Sequence, residues 1–159
     1  MRNPLSQKVI GIQPSGIRKF FDIAETMQDV ISLGVGEPDF PTPWRIRRAG
    51  IQSLERSHTR YTSNSGLEHL RKEIARYVKG KYDLSYNYKD EILVTVGGSE
   101  AIDAAIRAVV CPGDEVIIPQ PSYVCYEPMV TLAGGTPVII ETTAEHDFKL
   151  TPKDVLAAI

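Results

Sequence analysis

The sequence predicts an α/β protein, a mostly parallel sheet with helices on both faces. Three observations predict it. From residue 91 onward, strand-like and helix-like segments alternate with turn residues between them, the pattern of a chain that links parallel strands through helices. Two of the strand-like segments hold unbroken apolar runs, Val116-Ile117-Ile118 and Val138-Ile139-Ile140, which suits strands covered on both faces. The run Ile92-Leu93-Val94-Thr95-Val96 passes directly through Gly97-Gly98 into Ser99 and a strong helix-forming sequence. That is a strand, a tight turn and a helix start in quick succession.

The elements follow in order. Pro14 and Ser15 start a helix over 15–27, with Ile17, Phe20, Phe21 and Ala24 at helical spacing. A short strand is expected at 30–33. It leads into Gly34-Val35-Gly36-Glu37-Pro38-Asp39-Phe40-Pro41-Thr42-Pro43, a Gly- and Pro-dense loop suited to a hinge. Residues 44–56 read as a helix with Ile46, Ala49, Ile51 and Leu54 as its expected buried side. A polar stretch, 57–66, comes next. Leu67, Leu70, Ile74, Tyr77 and Val78 then mark a strong amphipathic helix over 67–82. Its Arg71, Lys72, Arg76, Lys79 and Lys81 are expected to form a solvated face rather than a nucleic-acid patch. Thereafter come a strand at 91–96, a helix at 99–110, a strand at 115–119, a helix at 123–133, a strand at 136–142 and a helix from 152 to 159. Cys111-Pro112-Gly113-Asp114 supplies turn chemistry between two of these.

Composition narrows the function classes. A 159-residue chain suffices for one domain with a core, and 42% hydrophobic with 24% charged residues is ordinary for a globular protein. A formal net charge of −2 makes no electrostatic case for nucleic acid or an anionic membrane as partner. No apolar run approaches the roughly 20 residues a bilayer span needs. The first eight residues, Met1-Arg2-Asn3-Pro4-Leu5-Ser6-Gln7-Lys8, lack the apolar core of a signal peptide. Cys111 and Cys125 show no metal-ligand or redox spacing, so neither a disulfide nor a metal site is expected, and a cytoplasmic protein is.

The chemistry concentrates at two loops that leave strands at the carboxyl edge of the sheet, where α/β proteins gather ligands. The turn Gly97-Gly98-Ser99-Glu100 opens a helix whose free amides and dipole favour an anion. Glycine lets the backbone come close, and the Ser99 hydroxyl adds a hydrogen bond. The loop Pro119-Gln120-Pro121-Ser122-Tyr123 places an aromatic ring beside it, where a flat group could stack. A phosphate cup next to an aromatic platform suits a planar phosphorylated cofactor. Pyridoxal phosphate and flavin mononucleotide both meet that requirement.

Several segments resemble the class I aminotransferases, the fold-type I pyridoxal-phosphate enzymes. Gly36-Glu37-Pro38-Asp39-Phe40-Pro41-Thr42-Pro43 is similar to their GxPDFxTP segment, and Tyr61-Thr62 through Gly66 to Leu70-Arg71 to their YTxxxGxxxLR segment. Val94 to Ile102 resembles their cofactor-phosphate turn. Pro112-Gly113-Asp114-Glu115-Val116 and Pro121-Ser122-Tyr123-Val124-Cys125-Tyr126 resemble the next strand and the stacking aromatic. Ala133-Gly134-Gly135-Thr136-Pro137-Val138 and Phe148-Lys149-Leu150-Thr151-Pro152 follow in the expected order. The resemblance is nearest to the bacterial branch that includes alanine, aspartate and aromatic aminotransferases, without choosing among them.

The resemblance implies roles. The cofactor would be pyridoxal 5'-phosphate. Gly98, Ser99 and Glu100 would hold its phosphate, mainly through backbone amides, with the Glu100 side chain pointing away. Tyr123 would stack on its ring. Tyr61 would reach across a homodimer interface to the partner subunit's phosphate. Gly36 would line the substrate carboxylate side, and Ser15, Gly16 and Ile17 would help cover the site. Residues 1–40 would form an N-terminal arm and part of a small domain with its hinge loop, and 41–159 the first part of the large cofactor-binding domain. The family's chemistry also needs a Schiff-base lysine, an acid against the pyridine nitrogen and an arginine for the substrate carboxylate. None of the lysines here matches that motif, so no catalytic residue is expected in this chain, which reads as the front part of a longer enzyme inactive by itself. The implied reaction moves an amino group from an amino acid to a 2-oxo acid. A lyase of the same fold, or a non-catalytic module built on it, is the alternative. A front part lacking its neighbours would leave apolar, unpaired edges.

Overall fold

The computed structural model describes residues 4–13, 15–29, 31, 36 and 38–159. In chain order the elements are α1 (Gln7–Ile10), α2 (Ile17–Thr26), α3 (Trp44–Glu55), α4 (Glu68–Tyr82), α5 (Gly97–Val109), β1 (Glu115–Gln120), α6 (Tyr126–Ala133), β2 (Thr136–Glu141), a short 3-10 turn (Ala144–His146) and α7 (Pro152–Ala157). Residues 30, 32 and 33 of the strand expected at 30–33, and positions 34, 35 and 37 of the hinge loop, lie outside the described residues. The chain divides into two compact units, one of residues 1–15 with 95–159 and one of residues 16–94.

The first unit is built on a parallel β1–α6–β2 crossover. Glu115 pairs with Thr136 and Gln120 with Glu141, without a bulge between. The α/β class with parallel strands, expected from the alternation, is the class that forms. Helix α6 packs on both strands and against α5 and α1. Ile118 in the middle of β1 and Val130 on α6 are buried there and form the core of the unit. Gly134, at φ +101°, ends α6, and the amides of Gly134 and Gly135 both donate to the Val130 carbonyl. A left-handed glycine ending lets the chain reverse into β2 at once. The sequence expects the α6 helix to start at 123. It starts at Tyr126, because Tyr123 to Cys125 form a turn whose Tyr123 carbonyl accepts from the Tyr126 amide.

The expected strand at 91–96 does not form: the segment joins no ladder among the described residues. A strand exists by pairing, and β1 and β2 pair with each other. What this segment has instead is a hydrogen bond from the Val94 amide to the Ser65 carbonyl, 3.1 Å.

Helix α7 is capped from both sides. The Thr151 hydroxyl accepts from the Asp154 amide, while the Asp154 carboxylate accepts from the Thr151 amide at 3.0 Å and hydroxyl at 2.6 Å. The Thr151 hydroxyl, then its amide, hold the Asp154 carboxyl below the usual range. A depressed folded-state value means the cap is fully present above the unfolded aspartate value and is lost as the pH falls through the folded one. Protection of the α7 amides against exchange, relative to the unstructured rate at the same pH, is therefore expected to fall below about pH 4. Asp154→Asn should remove that acid step, and an unchanged acid profile in the variant would refute the assignment.

The second unit holds α2, α3 and α4. On α4, Lys72 pairs with Glu68, Arg76 with Glu73 and Lys79 with Asp83, all exposed, so the solvated face forms as expected for these lysines and Arg76. Arg71 does not belong to it. It is 7% exposed, with Nε donating to the Gly66 carbonyl at 3.3 Å and Nη1 to the Tyr88 and Lys89 carbonyls at 2.5 and 3.1 Å. The reason is register: Arg71, Ile74 and Val78 recur at i+3 and i+4, so Arg71 shares a helix side with the half-buried Ile74 and Val78. The buried side expected on α3 is corrected too. Ile46 is 62% and Leu54 67% exposed, as is Phe20 of α2 at 73%. An amphipathic helix buries its stripe only when something covers it, and the described residues do not supply that cover.

Candidate functional site

The turn into α5 is the best-formed candidate. Gly97 sits at φ +81°, a conformation glycine adopts without cost, and its amide donates back to the Thr95 carbonyl at 3.0 Å. The Thr95 hydroxyl donates to the Gly97 carbonyl at 2.9 Å, closing the turn. The N-cap position is Val96, which has no polar side chain to satisfy the first amides of the helix. The Glu100 carboxylate folds back to accept from the Val96 amide. That leaves the backbone of Gly98 and Ser99 in the first turn without a side-chain cap. A Cβ built on Gly97 or Gly98 would meet nothing within 4 Å, so the front of the turn is open.

Tyr123 follows the carboxyl end of β1 by three residues. Its hydroxyl lies 2.9 Å from Ser99 Oγ, joining residues 24 apart in sequence. Its ring is held edge-on by Tyr126, with centroids 5.6 Å apart and planes at 77°. A hollow of about 320 Å³ beside it is lined by Ile118, Gln120, Pro121, Ser122 and Glu127. That size lies at the small end of ligand sites, roughly 300–1,000 Å³. Gly98, Ser99, Glu100 and Tyr123 thus come together in one unit. Helix-start amides without a side-chain cap, a hydroxyl and an anchored ring form a donor set that suits a phosphate attached to a flat ring.

The remaining candidates, Ile17, Gly36 and Tyr61, belong to the other unit. Ile17 is exposed at the first position of α2, and Gly36 has open space around its Cα. The Tyr61 side chain is fully exposed, beside an open groove lined by Gln52, Arg56, His58, Arg60 and His69. The base of the Tyr61 segment is anchored. Gly66 is at φ +93°, and a Cβ there would lie 2.6 Å from Val94 Cβ. Sequence reasoning missed Arg71 and Thr95 as supports of these two segments. The helical stripe marks the first; no local signal marks the second. Among the described residues no group of three or more potential metal ligands occurs, and no helix is long and apolar enough to cross a membrane.

The family model of class I and II aminotransferases matches residues 28–159. YugH of Bacillus subtilis (strain 168), assigned as an aminotransferase, is 57% identical over 159 residues, 100% of this chain and 41% of that protein. The aspartate aminotransferase of Pyrococcus abyssi is 43% identical over 146 residues, 92% of this chain and 38% of that one. The structure of the aspartate aminotransferase from Thermus thermophilus with maleate superposes with a TM-score of 0.87 at 36% identity, over 100% of this chain and 42% of that chain. The chain therefore spans about two fifths of the length of these relatives. With the family model covering all but the first 27 residues, and fold and sequence agreeing along the rest, the chain belongs to the class I and II aminotransferase family.

Proposed function

We propose that the protein carrying this chain transfers an amino group from an amino acid to a 2-oxo acid, using pyridoxal 5'-phosphate. The observation that carries the reading is the open, uncapped start of α5 with Ser99 bonded to the ring-bearing Tyr123. The bound cofactor supplies an electron sink for the substrate's Cα. This chain's own residues do the holding. The amides of Gly98, Ser99 and Glu100 bind the phosphate with the helix dipole behind them. The Glu100 carboxylate stays on the Val96 amide, so its charge is engaged by the turn. The Tyr123 ring covers the flat face of the cofactor and excludes water from it.

Tyr61, whose side chain is fully exposed, completes the phosphate site of the partner in a homodimer. Gly36 and the Ile17 segment border the substrate, within an N-terminal arm and small-domain part spanning 1–40; residues 41–159 open the large domain. The exposed apolar faces of α2 and α3 are covered by the rest of the longer protein, which also brings the lysine, acid and arginine of the reaction. The cytoplasm is the compartment this reading assigns, where the thiols of Cys111 and Cys125 stay free.

The test uses the intact protein loaded with pyridoxal 5'-phosphate, alanine, aspartate or aromatic donors, and 2-oxoglutarate. Formation of glutamate with the matching 2-oxo acid is expected, and none from residues 1–159 alone. Cofactor binding with release of ammonia and no amino transfer would assign a lyase instead.

A further inference from the structure

We propose that the Tyr123 hydroxyl is a positioning group for the anion site: it donates to Ser99 Oγ and thereby aims the Ser99 proton at a bound phosphate. The inference rests on the cofactor reading above and adds a role for Tyr123 separate from ring stacking.

The geometry supports it in three ways. The oxygen–oxygen distance of 2.9 Å is within the range of an O–H···O hydrogen bond. The partners come from different elements, the first turn of α5 and the turn after β1, so neither sequence neighbourhood nor helix geometry forces them together. And the Tyr123 ring is braced by Tyr126, which keeps its hydroxyl from swinging away.

Proton counting then sets the direction. Each hydroxyl has one proton and two acceptor lone pairs, so alone the pair can bond either way. A phosphate at the helix start offers acceptors. Ser99 must spend its single proton on the phosphate, and its oxygen is then available only to accept. The Tyr123 phenol, the stronger donor of the two, supplies that bond. The result is a chain of two aligned hydroxyls ending on the anion, in which each bond polarises the next. Phenylalanine at 123 would preserve the ring but leave the Ser99 rotor free to turn to backbone acceptors of its own helix.

The test is a double-mutant cycle in the intact protein, read as dissociation constants from the change in cofactor absorbance on binding. Two probes are used, pyridoxal 5'-phosphate and pyridoxal, which differ only in the phosphate. Tyr123→Phe is expected to weaken pyridoxal 5'-phosphate about 5- to 10-fold, the size of one lost hydrogen bond to a charged acceptor's partner. It should leave pyridoxal within about twofold. In a Ser99→Ala background the effect of Tyr123→Phe should vanish, and in Ser99→Thr, which keeps a hydroxyl, it should return.

Equal weakening of both probes by Tyr123→Phe, or an unchanged effect in the Ser99→Ala background, would overturn the positioning role while leaving the cofactor reading intact. Absence of any binding by the parent protein would overturn both.

Discussion

Gly66→Ala in the intact protein is expected to cost about 2–5 kcal/mol of stability. A non-glycine residue in left-handed space costs about 1–2 kcal/mol, and Gly66 sits at φ +93°. Overpacking adds about 1–3 kcal/mol, because the new Cβ would lie 2.6 Å from Val94 Cβ and 2.8 Å from its Cγ2. No rotamer change relieves this, since the Val94 Cβ is fixed to the backbone. Val94→Ala should therefore fail to rescue the variant. Relief requires Val94 to move, which strains the bond from its amide to the Ser65 carbonyl. Denaturant midpoints and the exchange rate of the Val94 amide check the result. A loss below about 1 kcal/mol with unchanged exchange would show that the two segments are not clamped.

Arg71→Met should cost about 3 kcal/mol, for a different reason. The guanidinium is buried with no carboxylate among the described residues bonded to it, and its charge is met by the dipoles of three carbonyls. Methionine fills much of the volume but donates nothing, leaving the Gly66, Tyr88 and Lys89 carbonyls without that donor. Lysine should recover part of the loss, since a single ammonium cannot span the fork. Because Arg71 and the Gly66 backbone act on one turn, the Gly66→Ala, Arg71→Met double variant should lose less than the sum of the singles. Full additivity, measured by the same midpoints, would refute a shared clamp. A weakened clamp also loosens the base of the segment that carries Tyr61.

Much of the fold is legible in the residues themselves. Helix α4 begins one residue from its expected start because its apolar period is strong and Gly66 precedes it. The crossover was legible because apolar runs and the turn residues Pro112-Gly113 and Gly134-Gly135 bracket it. Segment 91–96 was misread because an apolar, β-branched run reports affinity for a sheet, and pairing depends on a neighbour that sequence does not supply. Arg71 was misread for a related reason. Counting charges on a helix ignores which of its faces each charge occupies.

The candidate site divides the same way. The residues by themselves determined the α/β class, the glycine turn with its anion-favouring helix start, and the ordered motifs of the aminotransferase family. These are local: they depend on backbone conformation and spacing within a few residues. Only the tertiary structure decided that Ser99 and Tyr123 share a hydrogen bond and that Arg71 turns inward to the Tyr88 and Lys89 carbonyls. Each of these joins groups whose meeting depends on how the backbone turns and packs, and a sequence pattern carries no distance between them.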